Sequence, residues 1–155
     1  MSDHKVRVGV VGVGSLGQWH ARIYSELPAA ELVGVYDINQ ARAEEIAQRY
    51  RTRAIRDMAE LAGMVEAASI VVPADKHFEA AVHFLERGVH LLVEKPIATR
   101  ASDADAMVAK AQQQNLVLQV GHVERFNPVM QFLEGILVRP RFIDCLLYTS
   151  PSPRD

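Results

Sequence analysis

The chain has 155 residues, 49% apolar and 23% charged, the balance of a globular domain with room for one ordinary core. This composition excludes a mostly disordered chain, and no uninterrupted apolar run reaches the ~18 residues of a membrane span. Seventeen basic against nineteen acidic residues give a net charge of -2, which offers no electrostatic pull toward nucleic acid or an anionic membrane. The N-terminus shows no signal-peptide cleavage site. The single cysteine, Cys145, can form neither an internal disulfide nor a zinc cluster. The expectation is a cytoplasmic protein with a small-molecule partner, not a nucleic-acid or membrane binder.

Lys5 to Val11 is a short β-branched run that ends in glycines. Leu16 to Leu27 has helical spacing, with Leu16, Trp19, Ile23 and Leu27 on one side. Glu31 to Tyr36 reads as a second strand, and Gln40 to Tyr50 as an amphipathic helix with Ile46 and Ala47 inward. Residues 53–55 form a short third strand and Asp57 to Leu61 a helical turn. Ala68 to Val72 is strongly β. Asp75 to Arg87 is helical, with Gly88 as its C-cap. Val89 to Val93 is another strand. A helix capped by Thr99 or Ser102 runs to about Asn115, and Leu116 to Val120 is the last strand, ending at Gly121. Continuous apolar strands mark a sheet buried on both faces, and their alternation with helices marks βαβ units. Residues 1–121 therefore read as α/β, a doubly wound parallel sheet of the Rossmann type.

The first strand runs into Gly12-Val13-Gly14-Ser15-Leu16-Gly17. Gly12 would permit the tight turn, Gly14 would let a pyrophosphate approach the backbone, and Gly17 would let the helix pack close to the strand. The helix start, with Ser15 and Leu16, offers free N–H groups and a positive dipole end. Asp37 ends the second strand, 20 residues beyond Gly17 (37 − 17). A carboxylate there accepts hydrogen bonds from ribose hydroxyls and repels a 2′-phosphate, so it favours NAD over NADP. The alternative is plain turn glycines, with Asp37 capping the next helix. His20, His77, His83 and His90 read as packed or surface histidines without metal companions, and His4 as part of a frayed terminus.

Two more strand ends carry unusual residues: Val72-Pro73-Ala74-Asp75-Lys76-His77 and Glu94-Lys95-Pro96. Pro73 removes a donor and stiffens the turn. Oxidising a secondary alcohol with NAD also requires loss of the hydroxyl proton. Lys95, its pKa lowered by desolvation and by the cationic nicotinamide, could take that proton or polarise the oxygen. The alternative is a surface lysine beside its neighbouring carboxylate.

GVGSLGQWHA at 12–21, Asp37, VPADKH at 72–77, EKP at 94–96 and GHVERFNP at 121–128 occur in this order. Together they resemble the glucose–fructose oxidoreductase / inositol dehydrogenase / rhizopine-catabolism (Gfo/Idh/MocA) family over about residues 5–144. The resemblance implies an NAD-dependent oxidoreductase acting on a CH–OH group of a sugar, cyclitol or nucleotide sugar, with a homo-oligomeric parent admitted. It makes Lys95 the catalytic candidate, with a Lys–Pro bond that is often cis in the family. Glu94 and Pro96 would shape the nicotinamide–ribose pocket. It adds Val72, Pro73 and His77 to the cofactor-binding set, although Val72 stands where the family has a polar residue. Arg125 and Asn127 become substrate-binding candidates, while Asn127-Pro128 also fits a helix cap and first position. The GHVERFNP spelling resembles most the nucleotide-sugar dehydrogenases of the family, the UDP-N-acetylglucosamine 3-dehydrogenases among them. The alternatives are a dinucleotide-binding sensor, which has no need of EKP, and a reductase of C=N or C=C bonds.

The family's substrate domain supplies an Asp-x-x-x-His pair, which this sequence lacks after Lys95. Residues 122–144 read as the truncated start of a second, α+β domain: a helix over 128–137, then a strand from Arg141 to Asp144. Residues 145–155, CLLYTSPSPRD, cannot continue a buried strand and resemble translated adapter or vector sequence, a non-native tail. Ile136, Leu137, Phe142 and Ile143 would then lack a sheet to cover them. The expectation is a fragment that binds NAD and turns over no substrate.

Overall fold

A computed structural model describes residues 4–134 and 136, and the chain divides into two compact units between His122 and Val123. In the first unit β1 (Val6–Val11), α1 (Gly17–Glu26), β2 (Ala30–Tyr36), α2 (Gln40–Arg49), β3 (Arg53–Ile55) and α3 (Met58–Ala62) are followed by β4 (Ala67–Ile70), α4 (His77–Leu85), β5 (His90–Val93), α5 (Ala101–Gln113) and β6 (Leu118–Val120). The six strands form one sheet in the order β3-β2-β1-β4-β5-β6, every pair parallel. The chain steps outward from β1 to β3, then crosses to the other side of β1 and steps outward again. The strand order therefore reverses between β1 and β4, the place where such sheets open a crevice at their carboxyl edge. This is the doubly wound sheet expected from the sequence.

The strands are apolar on both faces because both faces are covered. Val10 and Val35 pack with Ala21, Ala43 and Ile46 on one side. Val11, Ile70, Leu91 and Val93 pack with Leu61, Phe84, Leu85 and Met107 on the other. Burying a side chain such as Phe84 contributes roughly 1.5–3 kcal/mol. The edge of β1 is tied to the turn before β4: the Arg7 backbone N–H donates to Glu66, and the His4 ring bonds its other oxygen at 3.1 Å. The Arg7 amide first, then His4, hold the Glu66 carboxyl down to about 2. His4 is thus anchored rather than frayed.

Most helix ends follow local chemistry. Asn39 caps α2 by accepting the Arg42 N–H, and Asp57 caps α3 by accepting the Ala59 N–H. Pro73 leads into a single 3₁₀ turn, Ala74–Lys76, before α4. Gly88, at φ +75°, lets the Val89 N–H return to the Phe84 carbonyl and close α4. One expectation needs correction. Neither Thr99 nor Ser102 caps α5: Arg100 holds that position and its guanidinium donates twice to Asp103 in the first turn. The Leu16, Trp19, Ile23, Leu27 stripe of α1 faces outward, each residue 45–58% exposed. The buried residues of α1 are Gly17 and Ala21, because the helix lies so close to the sheet that only small residues fit between.

In the second unit a 3₁₀ turn (Val123–Phe126) precedes α6 (Pro128–Glu134). Val129, Phe132 and Ile136 are exposed. The strand expected from Arg141 to Asp144, with Leu137, Phe142, Ile143 and the tail 145–155, lies outside the described residues. No helix among the described residues is long and apolar enough to cross a membrane.

Candidate functional site

The three glycines after β1 serve three different needs. Gly12 sits at φ +85°, and a Cβ there would lie 2.5 Å from the Val71 carbonyl oxygen. A Cβ at Gly17 would collide with the Gly12 carbonyl oxygen. At Gly14 a Cβ would meet nothing within 4 Å, so the protein itself does not require that glycine. The open space beside Gly14 is what a bound phosphate would use. The amides of Gly14, Ser15 and Leu16 make no hydrogen bond among the described residues, and α1 has neither a side-chain cap nor an acidic residue in its first turn. These donors are free to face an anion.

Asp37 stands at the end of β2, beside the loop. Its Oδ2 accepts the Val13 N–H at 2.8 Å and its Oδ1 accepts the Asn39 N–H at 2.9 Å. It does not cap α2; Asn39 does. Each carboxylate oxygen retains a lone pair for a further donor. A cleft of about 580 Å³ opens here, lined by Gly12, Gly14, Asp37, Ile38, Met58 and Pro73 among others. Ile38 stands almost fully in solvent at its rim.

The ends of β4 and β5 form the rest of the edge. His77 is 1% exposed, with Nδ1 2.8 Å from the Pro96 carbonyl and Nε2 2.8 Å from the Val72 carbonyl. It bridges the loops after β4 and β5, the two that carry Pro73 and Lys95. The Lys95–Pro96 peptide bond is cis. Lys95 is exposed, and its ammonium enters no hydrogen bond or ion pair among the described residues. The described residues leave it exposed, so the desolvation expected from the sequence is not provided by them. Glu94 is buried: Oε1 lies 3.2 Å from His20 Nε2, and Oε2 accepts the Lys95 N–H at 3.2 Å.

Structure thus brings Gly12, Gly14, Ser15, Leu16, Gly17, Asp37, Val72, Pro73, His77, Glu94, Lys95 and Pro96 to the carboxyl edge of one sheet. Arg125 and Asn127 belong to the second unit. Asn127 is occupied locally: its Oδ1 accepts the Val129 N–H at the start of α6, and its Nδ2 donates to Glu124.

Two features had no sequence signal. Arg42 pins the glycine loop, donating Nε to the Val13 carbonyl and its other nitrogens to Glu45 and Gln18. His20 joins Glu94 to Ser69, which in turn contacts the Tyr24 hydroxyl. Burial lowers the pKa of His20, with Glu94 opposing. Only contact across the sheet links these residues.

The model of an oxidoreductase family with an NAD-binding Rossmann fold, Gfo/Idh/MocA, matches residues 6–122. UDP-N-acetylglucosamine 3-dehydrogenase of Acidithiobacillus ferrooxidans is 39% identical over 150 residues, 96% of this chain and 47% of that protein. A solved structure of the enzyme of that name from the same organism superposes with a TM-score of 0.82 at 41% identity, covering 85% of this chain and 43% of that one. GenD2 from gentamicin A biosynthesis, solved in complex with NAD, gives 0.83 at 25% identity over 86% of this chain and 39% of its own. This chain spans less than half the length of each of these relatives.

Proposed function

The chain belongs to the Gfo/Idh/MocA oxidoreductase family, and from that premise we propose that the protein carrying it is an NAD-dependent dehydrogenase of a secondary hydroxyl group. The substrate class is a sugar, cyclitol or nucleotide sugar, and the 39% identity to a UDP-N-acetylglucosamine 3-dehydrogenase supports the nucleotide sugar. One observation carries the reading: a lysine and a glycine loop whose ammonium and amides have no partner among the described residues share one sheet edge with the Asp37 carboxylate.

The cofactor fits the residues present. The amides after Gly14 would hold the pyrophosphate, with the missing Cβ leaving it room. Asp37 would accept from the adenosine ribose hydroxyls and repel a 2′-phosphate. His77 would act indirectly, fixing the loops of Pro73 and Lys95 by its two carbonyl contacts. Bound NAD would supply a hydride acceptor at the nicotinamide C4. Lys95, as the free amine, would take the hydroxyl proton while the C–H bond electrons leave as hydride, so the carbinol becomes a carbonyl and Lys95 an ammonium. Its desolvation would come from bound cofactor and substrate. Arg125 would bind a substrate phosphate or carboxylate. Asn127 would support it by starting α6. We read the protein carrying this chain as cytoplasmic and admit a homo-oligomer.

In the complete enzyme, Lys95→Ala is expected to keep the NAD dissociation constant within about twofold and to lower kcat by roughly 10²–10⁴. Retained turnover would remove Lys95 from the chemistry.

A further inference from the structure

Glu94 is a buried carboxylate with no lysine or arginine side-chain partner among the described residues, and the proton transfer above does not use it. Such a group needs a reason to be where it is. Its surroundings supply one. Oε1 faces His20 Nε2 at 3.2 Å, His20 Nδ1 faces Ser69 Oγ at 3.1 Å, and Ser69 Oγ faces the Tyr24 hydroxyl at 2.8 Å. Ser69 is fully buried in mid-β4, where an apolar residue would serve packing alone. Gly121, at the end of β6, completes the seat: a Cβ there would lie 2.8 Å from Glu94 Oε1. The second carboxylate oxygen accepts the backbone N–H of Lys95 itself.

We propose that Glu94 is a positioning residue for Lys95, braced from across the sheet by the hydrogen-bond chain His20–Ser69–Tyr24. This rests on the reading of Lys95 as proton acceptor. The chain has one sense. An ionised carboxylate only accepts, so His20 Nε2 donates to it. Burial keeps the ring neutral, so Nδ1 carries the lone pair and the Ser69 hydroxyl must donate. Ser69 then accepts from Tyr24. A chain with every donor committed holds its terminal carboxylate in one place. That fixes the turn bearing Lys95, whose own ammonium enters no hydrogen bond or ion pair among the described residues. Misplacement of a reacting group by about 1 Å can cost on the order of 100-fold in rate.

The test uses nitrogen-15 NMR of the 155-residue chain with labelled histidine rings and labelled lysine amides. At pH 7 the His20 ring should carry one proton, on Nε2. Ser69→Ala should leave the His20 proton on Nε2, which Glu94 still requires, while moving the Lys95 amide resonance, and Gly121→Ala should move the same resonance by displacing the carboxylate. A His20 proton on Nδ1, or on both nitrogens, overturns the proposal, and the wild-type spectrum alone decides that. A Lys95 amide unmoved in both variants overturns it too. In the complete enzyme, Glu94→Ala and Ser69→Ala should lower kcat at least tenfold, Ser69→Ala with the KM for NAD within about twofold, and Glu94→Gln, which keeps an acceptor for His20, should recover part of the loss. An unchanged kcat in Ser69→Ala beside an inactive Lys95→Ala defeats the positioning role alone. An active Lys95→Ala with the NMR coupling intact defeats instead the reading of Lys95.

Discussion

Gly14 and Gly17 are three residues apart and identical in kind, yet they answer to different masters. Gly17 is required by the fold, since its Cβ would run into the Gly12 carbonyl oxygen. Gly14 has no neighbour that a methyl group would touch, and its φ is not in the left-handed region. Gly17→Ala should therefore overpack the loop and lower stability by about 1–3 kcal/mol. Gly14→Ala should leave stability within about 0.5 kcal/mol of wild type and weaken NAD binding at least tenfold by occupying the phosphate's approach. Denaturant unfolding and calorimetric titration of both variants separate the two effects. Equal stability losses at both positions would show that Gly14 too is only a turn residue.

At the scale of elements, α1 shows where sequence periodicity stops being informative. Its apolar residues recur at helical spacing, which identifies the helix, and the usual inference turns that stripe inward. Here the helix starts against the glycine turn, and its sheet-facing side is Gly17, His20, Ala21 and Tyr24, small or polar groups that fit a close approach. Trp19, the only tryptophan in the chain, lies half-exposed with the Arg22 guanidinium over its ring. Its fluorescence should thus be that of a solvated indole, quenched by iodide in the folded protein nearly as well as in denaturant. Strong protection from iodide would mean that the stripe is covered. The same distinction explains which site residues were legible. The glycines, Asp37 and Lys95 announce themselves by position at strand ends, and the family resemblance sharpened Lys95. The His20–Glu94 and His20–Ser69 bonds join residues 74 and 49 positions apart, with no local spacing to signal them. The α5 cap failed for a related reason, because the Arg100–Asp103 pair offered a start that neither Thr99 nor Ser102 had to supply.

At the scale of the molecule, the cleft joins the two halves of the sheet. Gly12 and Asp37 come from the β1–β2 half, and Val72 and Pro73 from the loop after β4 on the other side of the strand-order reversal. A dinucleotide held there contacts both halves, is bound only by the folded state, and must stabilise it. At a free concentration about 100 times its dissociation constant the gain is ~2.7 kcal/mol, on the order of 10 °C in Tm for a domain of this size. NADP at the same concentration should shift Tm far less, because its 2′-phosphate would approach the Asp37 carboxylate, which two backbone amides already hold in place. The 155-residue chain should do this without forming NADH from any sugar, cyclitol or nucleotide sugar. Its Lys95 stands in solvent, and no described residue covers it to hold a substrate hydroxyl against it. Thermal unfolding with each nucleotide, followed by an absorbance assay for NADH with the candidate substrates, checks both halves of the expectation. An equal shift by NADP would take cofactor discrimination away from Asp37, and sustained NADH formation would show that Lys95 needs no further covering to act.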